Sequence, residues 1–207
     1  MIEEKTIMSE LFAEQKKNIN EKWLEEKAIM NELLKEEKDP VSKQALLTNK
    51  LEDIFATVFR QVVLTRFEQR LHDERRGRGE LTAESINKIW IDTNKSMFGN
   101  SVVLTEDYAL WWMYIPHFIH SPFYCYAYSF GELLVLSLYS KYLTERESFV
   151  PLYIELLTAG GSESPENLLA RLGVDIKDPG FWQGGLSILR GMVDQAVGLA
   201  EKIDKKI

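Results

Sequence analysis

The chain has 207 residues, of which 45% are hydrophobic and 28% are charged, a composition typical of one globular domain with a sizeable core. Its 25 Lys and Arg residues are outnumbered by 32 Asp and Glu residues, giving a net charge of -7. This balance argues against the basic surface that binds nucleic acid or an anionic membrane. A single cysteine, Cys125, allows no internal disulfide, and no signal peptide or membrane-spanning stretch is recognisable. We therefore expect a cytoplasmic protein.

Apolar residues recur at three- and four-residue steps through most of the chain, which predicts an all-α fold. In Glu3 to Lys38 this pattern runs among mixed Glu and Lys residues, so residues 1–38 are predicted to form one long amphipathic helix. It should end at Asp39-Pro40, because proline restricts the preceding residue and lacks a donor. Residues 39–207 are predicted to continue as a helical region. Its first helix, from about Val41 to Leu71, has a wide apolar stripe, which indicates a buried position.

Capping residues and prolines divide the rest of the chain into shorter predicted helices. Pro116 and Pro122, six residues apart, predict an extended or turned segment. A long apolar and aromatic run from Phe123 to Leu143 predicts a buried helix with Pro122 in its first turn. The remaining predicted helices start near Thr82, Thr105, Val150, Ser164-Pro165 and Asp178-Pro179.

The segment from His117 to Tyr128 holds two histidines, three tyrosines and the cysteine. In a helix that follows Pro122, Tyr124 and Tyr128 share one face, whereas Tyr126 points roughly the opposite way. Neutral tyrosine and histidine side chains donate hydrogen bonds to developing negative charge, so this segment suits a carbonyl or an oxyanion. On composition alone, tyrosines that simply pack in the core are the commoner explanation.

The spacing of the histidines gives little support for a metal site. His117 and His120 are three residues apart and His72 is distant in sequence, whereas a catalytic zinc normally takes three protein ligands. The HExxH motif, which places two histidine ligands on one face of a helix, is absent from the sequence. Cys125 in an apolar helix is expected to be an inert buried thiol.

Several motifs form a recognisable set. They are Ile115–Phe118, Ser121–Glu132, a tail that begins Ala159-Gly160-Gly161-Ser162 and continues to Phe181-Trp182, and the helix Leu51–Gln61. Together they resemble the C-terminal part of oligoendopeptidase F, in the thimet-oligopeptidase-like family of zinc metallopeptidases. The resemblance covers about Asp39 to Lys202 and implies a multi-helix fold around a channel that admits short peptides.

The resemblance also implies roles for individual residues. His117 matches the family's substrate-binding histidine, and Tyr124 and Tyr126 match its oxyanion and substrate tyrosines. Tyr128 is an alternative match, because the tyrosine cluster can be shifted by one repeat. We therefore expect Tyr126 and His117 to be catalytic, and His117, Tyr124 and Tyr128 to bind the substrate.

In that family HExxH supplies two zinc ligands and the general base, and a downstream glutamate supplies the third ligand. This chain has no HExxH, and Thr6 stands at the third-ligand position when Ser9 is aligned with the family; Glu10 and Glu14 are weaker alternatives. We therefore expect zinc in the intact family enzyme, no metal ligands in this chain, and no activity of the chain alone.

The expected partners are oligopeptides, together with a complementary chain that bears HExxH or a second copy of this chain. A different class of function is also open: a non-catalytic helical protein that binds peptides or acts as a scaffold through self-association. An active enzyme that uses His117 and His120 as metal ligands is the least expected, because it lacks a third ligand and a base.

Overall fold

The computed structural model describes residues 36–204, and every regular element within that range is helical. The helices are α1 (Pro40–Thr57), α2 (Phe59–Arg78), α3 (Ala83–Phe98), α4 (His117–His120), α5 (Tyr126–Glu145), α6 (Phe149–Ala159), α7 (Pro165–Ala170) and α8 (Pro179–Asp204). Two 3₁₀ segments, Glu106–Tyr114 and Arg146–Ser148, follow α3 and α5. The prediction of an all-α fold is confirmed. Most of the helix predicted for residues 1–38 lies outside the described residues.

Two compact units divide the chain. One is Lys50–Asp194, and the described residues 36–49 and 195–204 belong to the other. Within this second unit, Asp39 Oδ2 accepts hydrogen bonds from the backbone N–H and the hydroxyl of Ser42, both at 2.9 Å. This cap starts α1 at the Asp39-Pro40 break that the sequence predicts. Across residues 36–204, no helix combines the length and the apolar character needed to cross a membrane.

The helix predicted from Val41 to Leu71 is interrupted, and that prediction of a single helix is wrong. Val58 separates α1 from α2 with φ -97° and ψ -68°. Its carbonyl oxygen accepts the hydroxyl of Ser129 on α5 at 2.9 Å as well as the N–H of Val62 at 3.1 Å. This second, tertiary hydrogen bond coincides with the interruption of the helix. Local periodicity does not reveal it, because the donor lies 71 residues away.

The first apolar cluster of the Lys50–Asp194 unit joins α2, α3 and the segment around α4. Its buried residues are Leu64, Phe67, Ile89, Trp90, Ile115 and Cys125. The ring of Phe67 meets the ring of Trp90 edge-on at 5.1 Å and lies 5.1 Å from the ring of Phe118. These contacts fix the position of α4, which carries His117.

A closed set of hydrogen bonds ties the Glu106–Tyr114 segment to α3. Trp90 Nε1 donates to the carbonyl oxygen of Tyr108 at 2.9 Å, and the Tyr108 hydroxyl donates to Asn94 Oδ1 at 3.0 Å. Asn94 Nδ2 donates in turn to the carbonyl oxygen of Trp90 at 2.9 Å. The predicted helix here is a 3₁₀ segment, and the side chain of Thr105 makes no capping hydrogen bond.

Two further clusters hold the C-terminal helices of the same unit. Leu138, Phe149, Leu169, Leu172 and Val174 join α5, α6 and α7 with the loop that follows, and Ile54, Val58, Leu136 and Leu189 join α1, α5 and α8. Gly185 allows close packing of α8 on α5, because a Cβ there would lie 2.6 Å from Ser137 Oγ. The predicted helix starts at Thr82 and Ser164 are confirmed, since each side chain accepts a backbone N–H three residues on.

Candidate functional site

The predicted site residues occupy three consecutive pieces of chain. His117 begins the single helical turn α4, Tyr124 lies in the connection that follows, and Tyr128 lies in the first turn of α5. The sequence predicts a helix from Phe123 with Pro122 in its first turn, and this prediction is wrong. Residues 121–125 form turns, and regular helix starts only at Tyr126.

A tight turn at Ser121–Tyr124 explains the late start of α5. The Tyr124 N–H donates to the Ser121 carbonyl at 3.2 Å, and Phe123 has a φ of 59°. Proline at the second position and a positive φ at the third are the pattern of a type II turn, which usually places glycine where Phe123 stands. A left-handed phenylalanine cannot continue into an α-helix, so the chain must complete the turn first.

The structure brings His117, Tyr124 and Tyr128 together, and we refer to these three residues as the His–Tyr cluster. His117 Nε2 and Tyr128 Oη are 3.0 Å apart, within hydrogen-bond distance. The rings of His117 and Tyr124 are nearly parallel, with centroids 6.5 Å apart, and the ring of Tyr128 meets both of them edge-on at 5.6 and 5.5 Å. His117 is half-buried, whereas Tyr124 and Tyr128 are 51% and 40% exposed, so a ligand can reach all three.

Tyr126 and His120 are not part of the His–Tyr cluster. Tyr126 is 57% exposed and makes no ring contact or side-chain hydrogen bond with residues 36–204. It lies two residues from Tyr128 on α5 and so points away from it, as the helical period predicts. His120, at the end of α4, is also exposed. The cluster therefore unites three of the four predicted site residues.

Sequence reasoning missed the residue that holds the turn. Glu68 on α2 is 1% exposed, and its Oε1 accepts the backbone N–H of Phe123 at 2.8 Å. One turn further along α2, the ring of His72 lies 4.7 Å from the ring of Phe123. The sequence does contain a signal for this role. Glu68 lies inside the apolar stripe formed by Leu64, Phe67 and Leu71, and a buried glutamate is seldom found without a partner.

Cys125 lies beneath the same turn and is fully buried. Burial raises the pKa of its thiol, and the nearby negative charge of Glu68 raises it further. The thiolate is the form that attacks electrophiles and binds metals, so this environment opposes both activities. The prediction that Cys125 is a buried thiol is confirmed.

The described residues do not fit a zinc ion. Within residues 36–204, no three His, Cys, Asp or Glu side chains converge in an arrangement that could hold a metal. His117 directs Nε2 to a phenol rather than to a second metal ligand.

The chemistry available to the His–Tyr cluster is hydrogen bonding to a polar ligand. An imidazole and a phenol that share a hydrogen bond can each serve as donor or acceptor, depending on the tautomer. Three accessible rings in edge-on and parallel arrangements also offer an apolar surface to a ligand side chain. Such a surface can hold a ligand that carries both polar and apolar groups.

Residues 7–188 match the sequence profile of peptidase family M3. The chain belongs to this family. It is 31% identical over 165 residues to the oligopeptidase PepF of Bacillus subtilis (strain 168), a match that covers 80% of this chain and 24% of that protein. It is 29% identical to the plasmid oligoendopeptidase F of Lactococcus lactis subsp. cremoris, with 79% of this chain and 27% of that protein covered.

The fold of this family M3 chain agrees with that of a solved relative. The crystal structure of oligoendopeptidase-F from Enterococcus faecium superposes with a TM-score of 0.76 at 26% identity, covering 84% of this chain and 33% of that chain. The chain spans about a quarter of the length of the two relatives named above. The predicted family is confirmed.

Proposed function

We propose that this chain provides the substrate-binding portion of a zinc-dependent family M3 peptidase that hydrolyses oligopeptides. The observation that carries the proposal is the hydrogen bond between His117 and Tyr128 within an accessible aromatic cluster. Peptide carbonyls and a tetrahedral oxyanion both need donors held in fixed positions. A phenol fixed by an imidazole meets that requirement.

Each side chain has a role in this proposal. Tyr128 and His117 bind the peptide as a pair, and Tyr124 provides a ring surface beside them. Tyr126 serves as the oxyanion donor, the role that the family resemblance implies for it; its hydroxyl is exposed and has no side-chain partner among residues 36–204. Since Tyr126 points away from Tyr128, it would contact a different part of the bound peptide.

We assign the zinc ligands and the general base to groups outside this sequence, because the 207 residues contain no HExxH. The chain alone should therefore bind peptides without hydrolysing them. Hydrolysis should appear when a polypeptide that carries HExxH is added. The cytoplasmic location stays a prediction.

Fluorescence anisotropy with a labelled oligopeptide tests this proposal. Removing the hydroxyl in Tyr128→Phe should weaken binding by up to about tenfold, the value of one net hydrogen bond. Tyr139→Phe is the matched control, because Tyr139 is also on α5 and 42% exposed but stacks on Tyr142 instead of the cluster. Equal effects of the two variants, or no binding by the wild type, would refute the proposed site.

Hydrolysis of a quenched fluorescent peptide, with and without added zinc, tests the second part of the proposal. We expect no cleavage by the chain alone under either condition. Stoichiometric zinc together with zinc-dependent cleavage would contradict the assignment of the metal ligands to another polypeptide. In that case His117, His120 and the N-terminal glutamates would be the candidate zinc ligands.

One observation favours the second candidate function, a scaffold that self-associates. The Glu106–Tyr114 segment exposes Trp111, Met113 and Tyr114 to 53%, 58% and 77%. Adjacent exposed apolar side chains often mark an interface. Sedimentation equilibrium of the wild type and Met113→Ser tests it, because association that depends on Met113 would favour the scaffold function. A monomer at all concentrations would oppose it.

A further inference from the structure

We propose that Glu68 is a positioning residue for the His–Tyr cluster: its buried carboxylate holds the turn at Phe123 and thereby places the ring of Tyr124. This role deepens the proposed function and rests on it. Glu68 itself lies beneath the cluster and does not contact a substrate in this proposal.

The turn needs an external support. Phe123 has a φ of 59°, a left-handed conformation that residues with a bulky side chain rarely adopt and that persists only where the surroundings hold it. The Ser121–Tyr124 hydrogen bond, at 3.2 Å, closes the turn but does not remove the positive φ of Phe123. In type II turns, glycine normally removes this strain, and here no glycine is present.

Glu68 provides that support from the neighbouring helix. Its Oε1 accepts the Phe123 N–H at 2.8 Å, a distance typical of a good N–H···O hydrogen bond. Among residues 36–204, Glu68 Oε2 is buried and has no hydrogen-bond partner, and burying a polar atom in this way costs free energy. The ring of His72, one turn along α2, packs on the Phe123 ring at 4.7 Å. Helix α2 therefore holds both the main chain and the side chain of Phe123.

The hydrogen bond between Glu68 and Phe123 also bears on the position of Tyr124, the next residue in the chain. Its ring lies within 4° of parallel to the ring of His117 and 5.5 Å from the ring of Tyr128. Its carbonyl accepts the N–H of Ala127 at 3.0 Å, at the start of α5. In this proposal the turn and the start of α5 both depend on the path of the chain through Phe123, so a change in the Phe123 peptide shifts the Tyr124 ring relative to His117.

The test compares Glu68→Gln and Glu68→Ala in the full chain. The glutamine keeps an oxygen that can accept the Phe123 N–H, whereas the alanine has none. The first readout is the NMR shift of the His117 Cε1–H, which depends on the ring currents of Tyr124 and Tyr128. The second is the affinity for the labelled oligopeptide. Glu74→Ala is the matched control, since Glu74 lies on the same helix and pairs with Arg78 away from the turn.

We expect Glu68→Ala to displace the His117 resonance and to weaken peptide binding by up to about tenfold, because a turn that loses this hydrogen bond occupies its binding-competent conformation less often. Glu68→Gln should keep the wild-type resonance and affinity within about twofold, and Glu74→Ala should change neither. If Glu68→Ala does not fold, Glu68→Asp decides, because it keeps the charge but shortens the reach by one methylene. It should displace the resonance in the same direction.

An Ala variant that is less stable but has the wild-type His117 resonance and affinity would overturn the proposal, because Glu68 would then serve stability alone. An Asp variant with the wild-type resonance would overturn it as well. If the wild type binds no peptide, the proposed function fails. In that case the His117 resonance still shows whether Glu68 positions the cluster.

Discussion

Replacement of Phe67 by alanine should strongly destabilise the protein. Phe67 is 0% exposed, and its ring packs edge-on against Trp90 and beside Phe118, at 5.1 Å in both cases. The decrease in the free energy of unfolding has two parts: the lost transfer free energy of a buried ring, and the cost of a cavity that the neighbouring side chains fill only partly. Such replacements lower the free energy of unfolding by about 3–5 kcal/mol, a large part of the roughly 5–15 kcal/mol of a typical domain.

Phe59→Ala is the matched control. Phe59 is on the same helix and also meets another ring edge-on, that of Phe55 at 5.2 Å, but it is 39% exposed. Because about 60% of its surface is buried and water can fill the space that it leaves, its loss should lower the free energy of unfolding by only about 1–2 kcal/mol.

Urea unfolding followed by far-UV circular dichroism measures how far each variant lowers the free energy of unfolding relative to the wild type. The comparison requires that this free energy depends on urea concentration with the same slope in all three proteins. The midpoint should fall at least twice as far for Phe67→Ala as for Phe59→Ala. Equal losses would refute the reasoning, because burial and the resulting cavity would not then determine the stability of α2.

Three further predictions concern single groups. The Cys125 thiol, whose pKa is raised by burial and by the charge of Glu68, should react slowly with a thiol reagent at neutral pH in the native protein and rapidly in urea. Ser164→Ala should lower the free energy of unfolding by about 1 kcal/mol, because α7 loses its cap. The Glu84 carboxyl has a pKa below its usual value owing to hydrogen bonds from its own backbone N–H and from Thr82. Its contribution to stability is therefore present above the unfolded-state pKa and lost as the pH falls through the folded one, and Thr82→Ala should raise the pKa measured by NMR titration.

Each of these predictions has a contrary result. Fast labelling of native Cys125 at neutral pH would show that the thiol is accessible or ionised. An unchanged urea midpoint for Ser164→Ala would mean that α7 does not need its cap. A Glu84 pKa that is unaffected by Thr82→Ala would show that the hydroxyl does not act on this carboxyl.

Local chemistry made several helix boundaries predictable. Asp39, Thr82 and Ser164 each accept a backbone N–H three residues on, and such a hydrogen bond depends only on nearby residues. The interruption at Val58 coincides with a hydrogen bond from Ser129, which is distant in sequence. No local pattern contains that information, so the sequence predicts one helix where the structure has two.

The candidate site was predictable to a similar extent. The residue types and the family resemblance predict His117, Tyr124, Tyr126 and Tyr128, and the structure places all of them except Tyr126 in one cluster. The start of α5 was not predictable from the sequence, because it depends on a left-handed Phe123 held by a glutamate from another helix. A proline before a long apolar run favours a helix start at the proline. The same sequence pattern is found when a turn separates the proline from the helix, so it does not distinguish the two cases.

The hydrogen bonds among Trp90, Asn94 and Tyr108 also bear on the order in which the chain folds. They join residues at most 18 apart in sequence, whereas the contact of Ser129 with Val58 closes a loop of 71 residues. Short loops lose less chain entropy on closing and form sooner. The corner built from α3 and the Glu106–Tyr114 segment should therefore assemble early, and α5, which carries Tyr128, should dock later.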